Sequence, residues 1–130
     1  MKLTVPIEDL VIGIICGLLL VGYTGKFFPL KLNEYVYAAA FMIYAVFILL
    51  DTFYELSDFS THLGFIITSV LHNIVDFALS LAVISHFGKW NIPVISQYIV
   101  PYLGEQAFFY LGAFFVVGNA FWLIAYPFTY

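Results

Sequence analysis

Polar positions in this chain fall in clusters, and the clusters divide it into four long apolar runs. The first run, residues 8–23, has Pro6 near its beginning and Gly25 just past its end, the usual asymmetry of helix start and stop signals. The segment KFFPLKLNE then breaks the apolar pattern and offers Asn33 as an N-cap,. The second run, residues 34–56, makes a helix roughly 33 Å long at 1.5 Å per residue, enough to cross a hydrocarbon core of about 30 Å. A polar turn, SDFSTH, leads into a third run over 61–87. So short a connection makes the second and third helices an antiparallel pair. Between them and the fourth run, residues 106–126, Gly88, Pro93, Pro101 and Gly104 forbid a continuous span,. A short interfacial helix is expected there, with Asn91 near its cap and Trp90, Tyr98 and Tyr102 at headgroup level. The expected fold class is all-α: an integral membrane bundle of four transmembrane helices in a single domain, 1–130, with a short interfacial helix between helices 3 and 4.

Composition makes the bilayer the solvent of this bundle, since 64% of the residues are apolar and only 9% charged, far from an ordinary soluble domain. Four lysines and no arginine, with a formal net charge of −4, leave no basic footprint for nucleic acid. Glu8 and Asp9 abut the first apolar run and no A-x-A cleavage site follows it, so the run reads as a retained helix and not a signal peptide. The single Cys16 reads as a small packed hydrophobe,. Lys26, Lys31 and Lys89 lie in the first and third connections, against Lys2 alone on the other side. Positive charge favours the cytoplasm, which places the protein in the cell membrane with both termini extracytoplasmic.

Two features inside the runs call for partners. Gly13 and Gly17 are spaced to let another helix approach closely,. The stretch from Asp51 to Asp76 holds four of the chain's eight carboxylates and two of its three histidines, without a lysine. Placed on two antiparallel helices, this stretch separates into a shallow rim, Glu55, Asp58 and His62, and a deep set, Asp51, His72 and Asp76. Counting about 1.5 Å per residue from the turn puts Asp51 roughly 9 Å, His72 roughly 14 Å and Asp76 roughly 20 Å into the membrane. A carboxylate at the bilayer centre costs a few kcal/mol or more, so Asp76 must face protein or pair with a donor. His72 and Asp76 are i and i+4 neighbours, with Ser69 and Ser80 near the same face.

Four readings compete for this set. One is a satisfied polar clasp between helices. A second is a metal site built from Asp51, Glu55, Asp58, His62, His72 and Asp76, whose oxygen and imidazole donors suit copper, zinc or iron. A third is a proton or cation relay through His72 and Asp76 in a small homo-oligomeric transporter. The fourth comes from the spacing Asp58-x3-His62-x9-His72, which resembles the aspartate and two-histidine copper ligand set in the membrane C subunit of the methane and ammonia monooxygenase family. That family's second spacing is longer and its C subunit larger. The resemblance implies a small accessory subunit of a redox or metal-dependent membrane assembly, not catalytic alone. Phe108, Phe109, Phe114, Phe115, Phe121 and Phe128, on several sides of the last helix, would then meet lipid and other membrane subunits.

Overall fold

The computed structural model describes residues 4–25, 28–57 and 63–129. They form α1 (Thr4–Thr24), α2 (Glu34–Ser57), α3 (Leu63–Gly88), a single-turn α4 (Ile95–Tyr98), a 3-10 turn over Val100–Tyr102, and α5 (Glu105–Thr129). No strand occurs among the described residues. Three of the helices, over Glu34–Tyr54, Ile67–Gly88 and Gln106–Ile124, are long and apolar enough to cross a membrane. Their outward faces fit that solvent: Ile43, Val46 and Phe53 on α2, Leu71 and Ile74 on α3, and Val117, Phe121 and Ile124 on α5 are all exposed.

Local chemistry explains the helix ends. α1 starts four residues before the expected position, which brings Pro6 into its first turn, where a missing N–H leaves no intrahelical bond unmade. Gly25 closes α1 at φ 73°, a conformation that a Cβ would disfavour. Asn33 caps α2 as expected, its Oδ1 accepting from the Tyr35 amide at 2.9 Å,. At the end of α3, Lys89 takes the left-handed conformation, φ 58°, and the Trp90 amide reaches back to the Ser85 carbonyl at 3.2 Å. This is the helix stop that usually employs glycine. Asn91 does not cap the short helix: Val94 stands at that position, with φ 69° and no side-chain cap bond. Serines hold this segment instead. The Ser85 hydroxyl donates to the Trp90 carbonyl at 2.6 Å and lies 2.7 Å from the Ser96 hydroxyl, which accepts from the Ile92 amide.

Each long helix buries one stripe with three- and four-residue steps, the mark of a single helical face. On α1 the stripe is Asp9, Gly13, Cys16, Gly17 and Leu20; on α2 it is Tyr37, Phe41, Tyr44, Ile48 and Asp51. On α3 it is Ser69, Asn73, Asp76, Ser80, Val83 and Phe87, and on α5 Phe108, Gly112, Phe115 and Asn119. α1 packs most extensively on α5, and α2 on α3, while α1 also meets α2 and the α3 and α5 backbones approach only sparsely.

The glycine pair of α1 has found its helix. A Cβ on Gly17 would lie 2.7 Å from the Gly112 carbonyl, and one on Gly112 would lie 2.7 Å from the Gly17 carbonyl. The two backbones are therefore in direct contact, as small residues allow in lipid. At one end of the core Tyr23, Tyr37, Phe87 and Phe108, one from each long helix, stack and edge together with centroids 5.0–6.0 Å apart. Phe41, Tyr44 and Phe115 continue this aromatic packing to mid-depth. Beyond them, toward the ends of α1 and α3 that come first in the chain, the core turns polar.

Candidate functional site

The deepest polar group of the expected set, Asp76, sits halfway along α3 and is only 1% exposed. Tyr44 projects from α2 at the same depth because its ring is fixed between Phe41 and Phe115. Its hydroxyl donates to Asp76 Oδ2 at 2.9 Å. Asn119, on the buried stripe of α5, donates from Nδ2 to the Tyr44 oxygen at 3.1 Å and to the Phe115 carbonyl at 2.6 Å. The Tyr44 hydroxyl also lies 3.4 Å from Asn119 Oδ1, so the α5 amide, the α2 hydroxyl and the α3 carboxyl form one connected polar line. Gly13 leaves the space for this chain, since a Cβ there would fall 2.5 Å from Asn119 Nδ2 and 2.8 Å from the Tyr44 oxygen. Four helices therefore converge on one hydrogen-bonded line.

His72 lies one turn from Asp76 on α3, with Nε2 3.0 Å from Asp76 Oδ2. It is close enough for an ion pair but lacks the alignment of a hydrogen bond. Its side chain, 17% exposed, occupies the seam where α3 and α5 approach only sparsely, against Phe114 and Trp122. Gly118 is 3.6 Å from the imidazole when given a Cβ. His72 is thus the group between the buried carboxyl and the seam. Asp76 Oδ1 and the Ser80 hydroxyl one turn further on are buried without a hydrogen-bond partner.

A second acidic centre lies nearer the end of the core. Asp51 is 4% exposed, and its Oδ2 accepts from Asn73 Nδ2 at 3.0 Å. The same amide donates to the Thr52 hydroxyl at 3.1 Å, while that hydroxyl donates back to the Ile48 carbonyl. On α1, Asp9 is 3% exposed and belongs to the same buried stripe as Gly13. Three carboxyls, Asp9, Asp51 and Asp76, are therefore buried in the core. The described lysines, Lys31 and Lys89, stay on the surface, where Lys31 covers the Tyr23 ring at 4.9 Å.

Of the six residues singled out as ligands, Asp51, His72 and Asp76 are buried or partly buried in this layer. Asp51 meets Asn73, whereas His72 meets Asp76. Glu55 belongs to α2 but its side chain is outside the described residues, as are Asp58 and His62 altogether. Two members of the copper-type Asp58, His62 and His72 spacing thus fall outside. Among the described residues no three His, Cys, Asp or Glu side chains converge as a metal site.

Residue spacing alone did not single out Asp9, Tyr44, Asn73 or Asn119 as members of the layer. A signal for Asp9 exists: it precedes Gly13, Cys16 and Gly17 by four, seven and eight residues, which puts it on the face that the glycines mark for close packing. Tyr44 likewise lies seven residues before Asp51 on one face of α2. Nothing in a single helix identifies Asn119 as the third member of the line. The chain matches no protein-family model, no curated protein and no solved structure.

Proposed function

We propose that this chain is an integral membrane protein of four spanning helices whose interior exchanges protons at His72 and Asp76. One observation carries the reading. Asp76, at the middle of a helix long enough to span, presents Oδ2 to both the Tyr44 hydroxyl and the His72 imidazole while its Oδ1 has no donor. A buried ionised carboxylate is strongly disfavoured unless paired, and a proton is the ligand that removes the charge without needing room. Tyr44 and Asn119 hold Oδ2 in place, so the exchanging group is oriented before a proton arrives.

The step is a transfer from the Nε2–H of an imidazolium to Asp76 Oδ2. The N–H bond breaks as the O–H bond forms, leaving neutral imidazole and neutral carboxyl. His72 then reloads from the α3–α5 seam. Every group in this line belongs to one chain, so the reading does not require a second copy to complete it. Lys31 and Lys89 on the connections favour the orientation with both termini extracytoplasmic, in a cell membrane.

The test is reconstitution of purified protein into vesicles with a trapped pH-sensitive dye and a potassium diffusion potential. Wild-type protein should dissipate the imposed proton gradient faster than protein-free vesicles, and Asp76→Asn should return the rate to that of the lipid. Equal rates for wild type and Asp76→Asn overturn the proposal.

A second reading, an accessory subunit of a larger redox or metal-dependent membrane assembly, draws on a different feature. Two adjoining apolar grooves of about 230 and 310 Å³ run along the outer face of α2 and α3, sharing Leu49, Phe77 and Leu81 and ending at Ile92 and Ile95. They are shaped to take apolar side chains from another helix. Purification in mild detergent tests this reading: stoichiometric foreign subunits support it, and the chain emerging without any removes it.

A further inference from the structure

The apolar grooves on the outer face of α2 and α3 cover only half of the depth that a neighbouring helix would follow. Their walls come from residues 42–52 of α2 and 73–84 of α3, about 15–16 Å of helix at 1.5 Å per residue. The hydrocarbon core is about 30 Å thick, so the grooves have the length of one leaflet. Their two ends differ in chemistry. At one end the polar lining residues are Thr52 and Asn73, whose donors are spent: Asn73 donates to Asp51 and to the Thr52 hydroxyl, which donates to the Ile48 carbonyl. No side-chain donor is left there for a headgroup. At the other end Trp90 stands in the wall, 50% exposed. It is fixed against the end of α3, since a Cβ on Gly88 would lie 3.4 Å from its ring and its carbonyl accepts from the Ser85 hydroxyl at 2.6 Å. A tryptophan so placed keeps its ring in the apolar zone and its N–H among headgroups. Beside it Lys89 extends a side chain that is 73% exposed, with Nζ 4.0 Å from Glu34 Oε2. An exposed pair at that distance is weak, and the ammonium keeps donors for another anion.

We propose that the grooves hold one acyl chain of an anionic phospholipid, whose phosphate meets the Lys89 ammonium and the Trp90 indole N–H. The chain lies between α2 and α3 with its methyl end toward Thr52 and Asn73. Ile92 and Ile95 of the connection wall it in on one side. Charge selects the headgroup: Lys89 is the cation next to the tryptophan at the groove's mouth, and a phosphate without a compensating ammonium answers it best. Lysine in this connection also favours the cytoplasmic side, where anionic lipids are concentrated. The inference rests on the reading of this chain as a membrane protein and is independent of the exchange at Asp76.

Native mass spectrometry tests it, with the full chain stripped of lipid in detergent and mixed with dioleoyl phosphatidylglycerol or dioleoyl phosphatidylcholine. One phosphatidylglycerol should stay bound per chain, with phosphatidylcholine held about fivefold more weakly, the effect of one lysine at an anionic surface. Lys89→Gln should bring the first lipid to the level of the second. Ala78→Leu, and Leu49→Trp from the opposite wall, fill the groove and should lose both lipids while circular dichroism matches the wild type. Equal retention of the two lipids by wild type, or phosphatidylglycerol held undiminished by Lys89→Gln, overturns the headgroup contact. Undiminished retention by both filled variants overturns the groove as the site. A photoreactive residue at position 46 should link lipid in native membranes, and a protein adduct there overturns the lipid as occupant. A chain that stays soluble without detergent would instead defeat the membrane reading itself.

Discussion

The two ends of the core are built from the same four helices by opposite means. At the aromatic end Tyr23, Tyr37, Phe87 and Phe108 pack ring against ring. The Tyr37 hydroxyl there is turned to the chain outside α2, donating to the Leu30 carbonyl and accepting from the Leu32 amide. At the other end Asp9, Asp51, Asn73, Asp76 and Asn119 fill the equivalent stripe positions, and Oδ1 of Asp51 and of Asp76 has no donor. Packing energy at the aromatic end depends on volume and shape. At the polar end it depends on which donor meets which acceptor. Tyr44 joins the regimes, its ring against Phe115 and its hydroxyl on Asp76.

Substitutions can break this contrast, beginning with the largest effect. Phe87→Ala empties the centre of the aromatic end, where the ring is 1% exposed, and should cost about 3–5 kcal/mol, read as an earlier midpoint in detergent-titrated unfolding. Proton exchange per folded molecule should be unchanged, and a proportionate loss of exchange would show that the two ends are not separable. Gly17→Val sets a branched side chain against the Gly112 carbonyl and should cost about 1–3 kcal/mol through overpacking. In the same titration it should lower stability, and a midpoint equal to that of wild type would show that the Gly17 and Gly112 backbones are not in contact. Tyr44→Phe keeps the ring and deletes the bond to Asp76, so the stability change should be the smallest, about 0.6 kcal/mol. Its exchange rate should nevertheless fall clearly below wild type, because Asp76 Oδ2 loses its fixed donor. A Tyr44→Phe variant that exchanges at the wild-type rate would place Tyr44 with the packing residues.

Helix existence was legible because each apolar run is bounded by residues with definite backbone preferences, such as Gly25 and Asn33. The glycine spacing on α1 also announced a close partner, without saying which helix would supply it. Asp76 was legible as an anomaly, since its depth follows from counting residues. Its partners were not, because they come from α2 and α5, and spacing within α3 says nothing about how those helices are rotated. Asp9 was hidden by its proximity to the start of α1, where a carboxylate ordinarily meets water and favours the helix dipole. The short helix after α3 shows the same limit at a smaller scale. Asn91 has the chemistry of a cap, but the serine clamp between Ser85 and Ser96 fixes the segment so that Val94 occupies the cap position.

The pairing of Gly17 with Gly112 bears on how the protein is made. α1 finds its most extensive partner in α5, the last of the long helices, some ninety-five residues later in the chain. Joining segments so far apart carries a larger loop-closure cost than joining neighbours. While α1, α2 and α3 emerge in turn, the glycine face of α1 has no cover and Asn119 has not yet reached Tyr44. The α2–α3 hairpin can form early through Asn73 and Asp51, but the line from Asn119 to Asp76 is completed only when α5 arrives. Assembly of the polar interior is therefore the closing event of folding, and a chain truncated before Gly112 would leave its acids in an unfinished bundle.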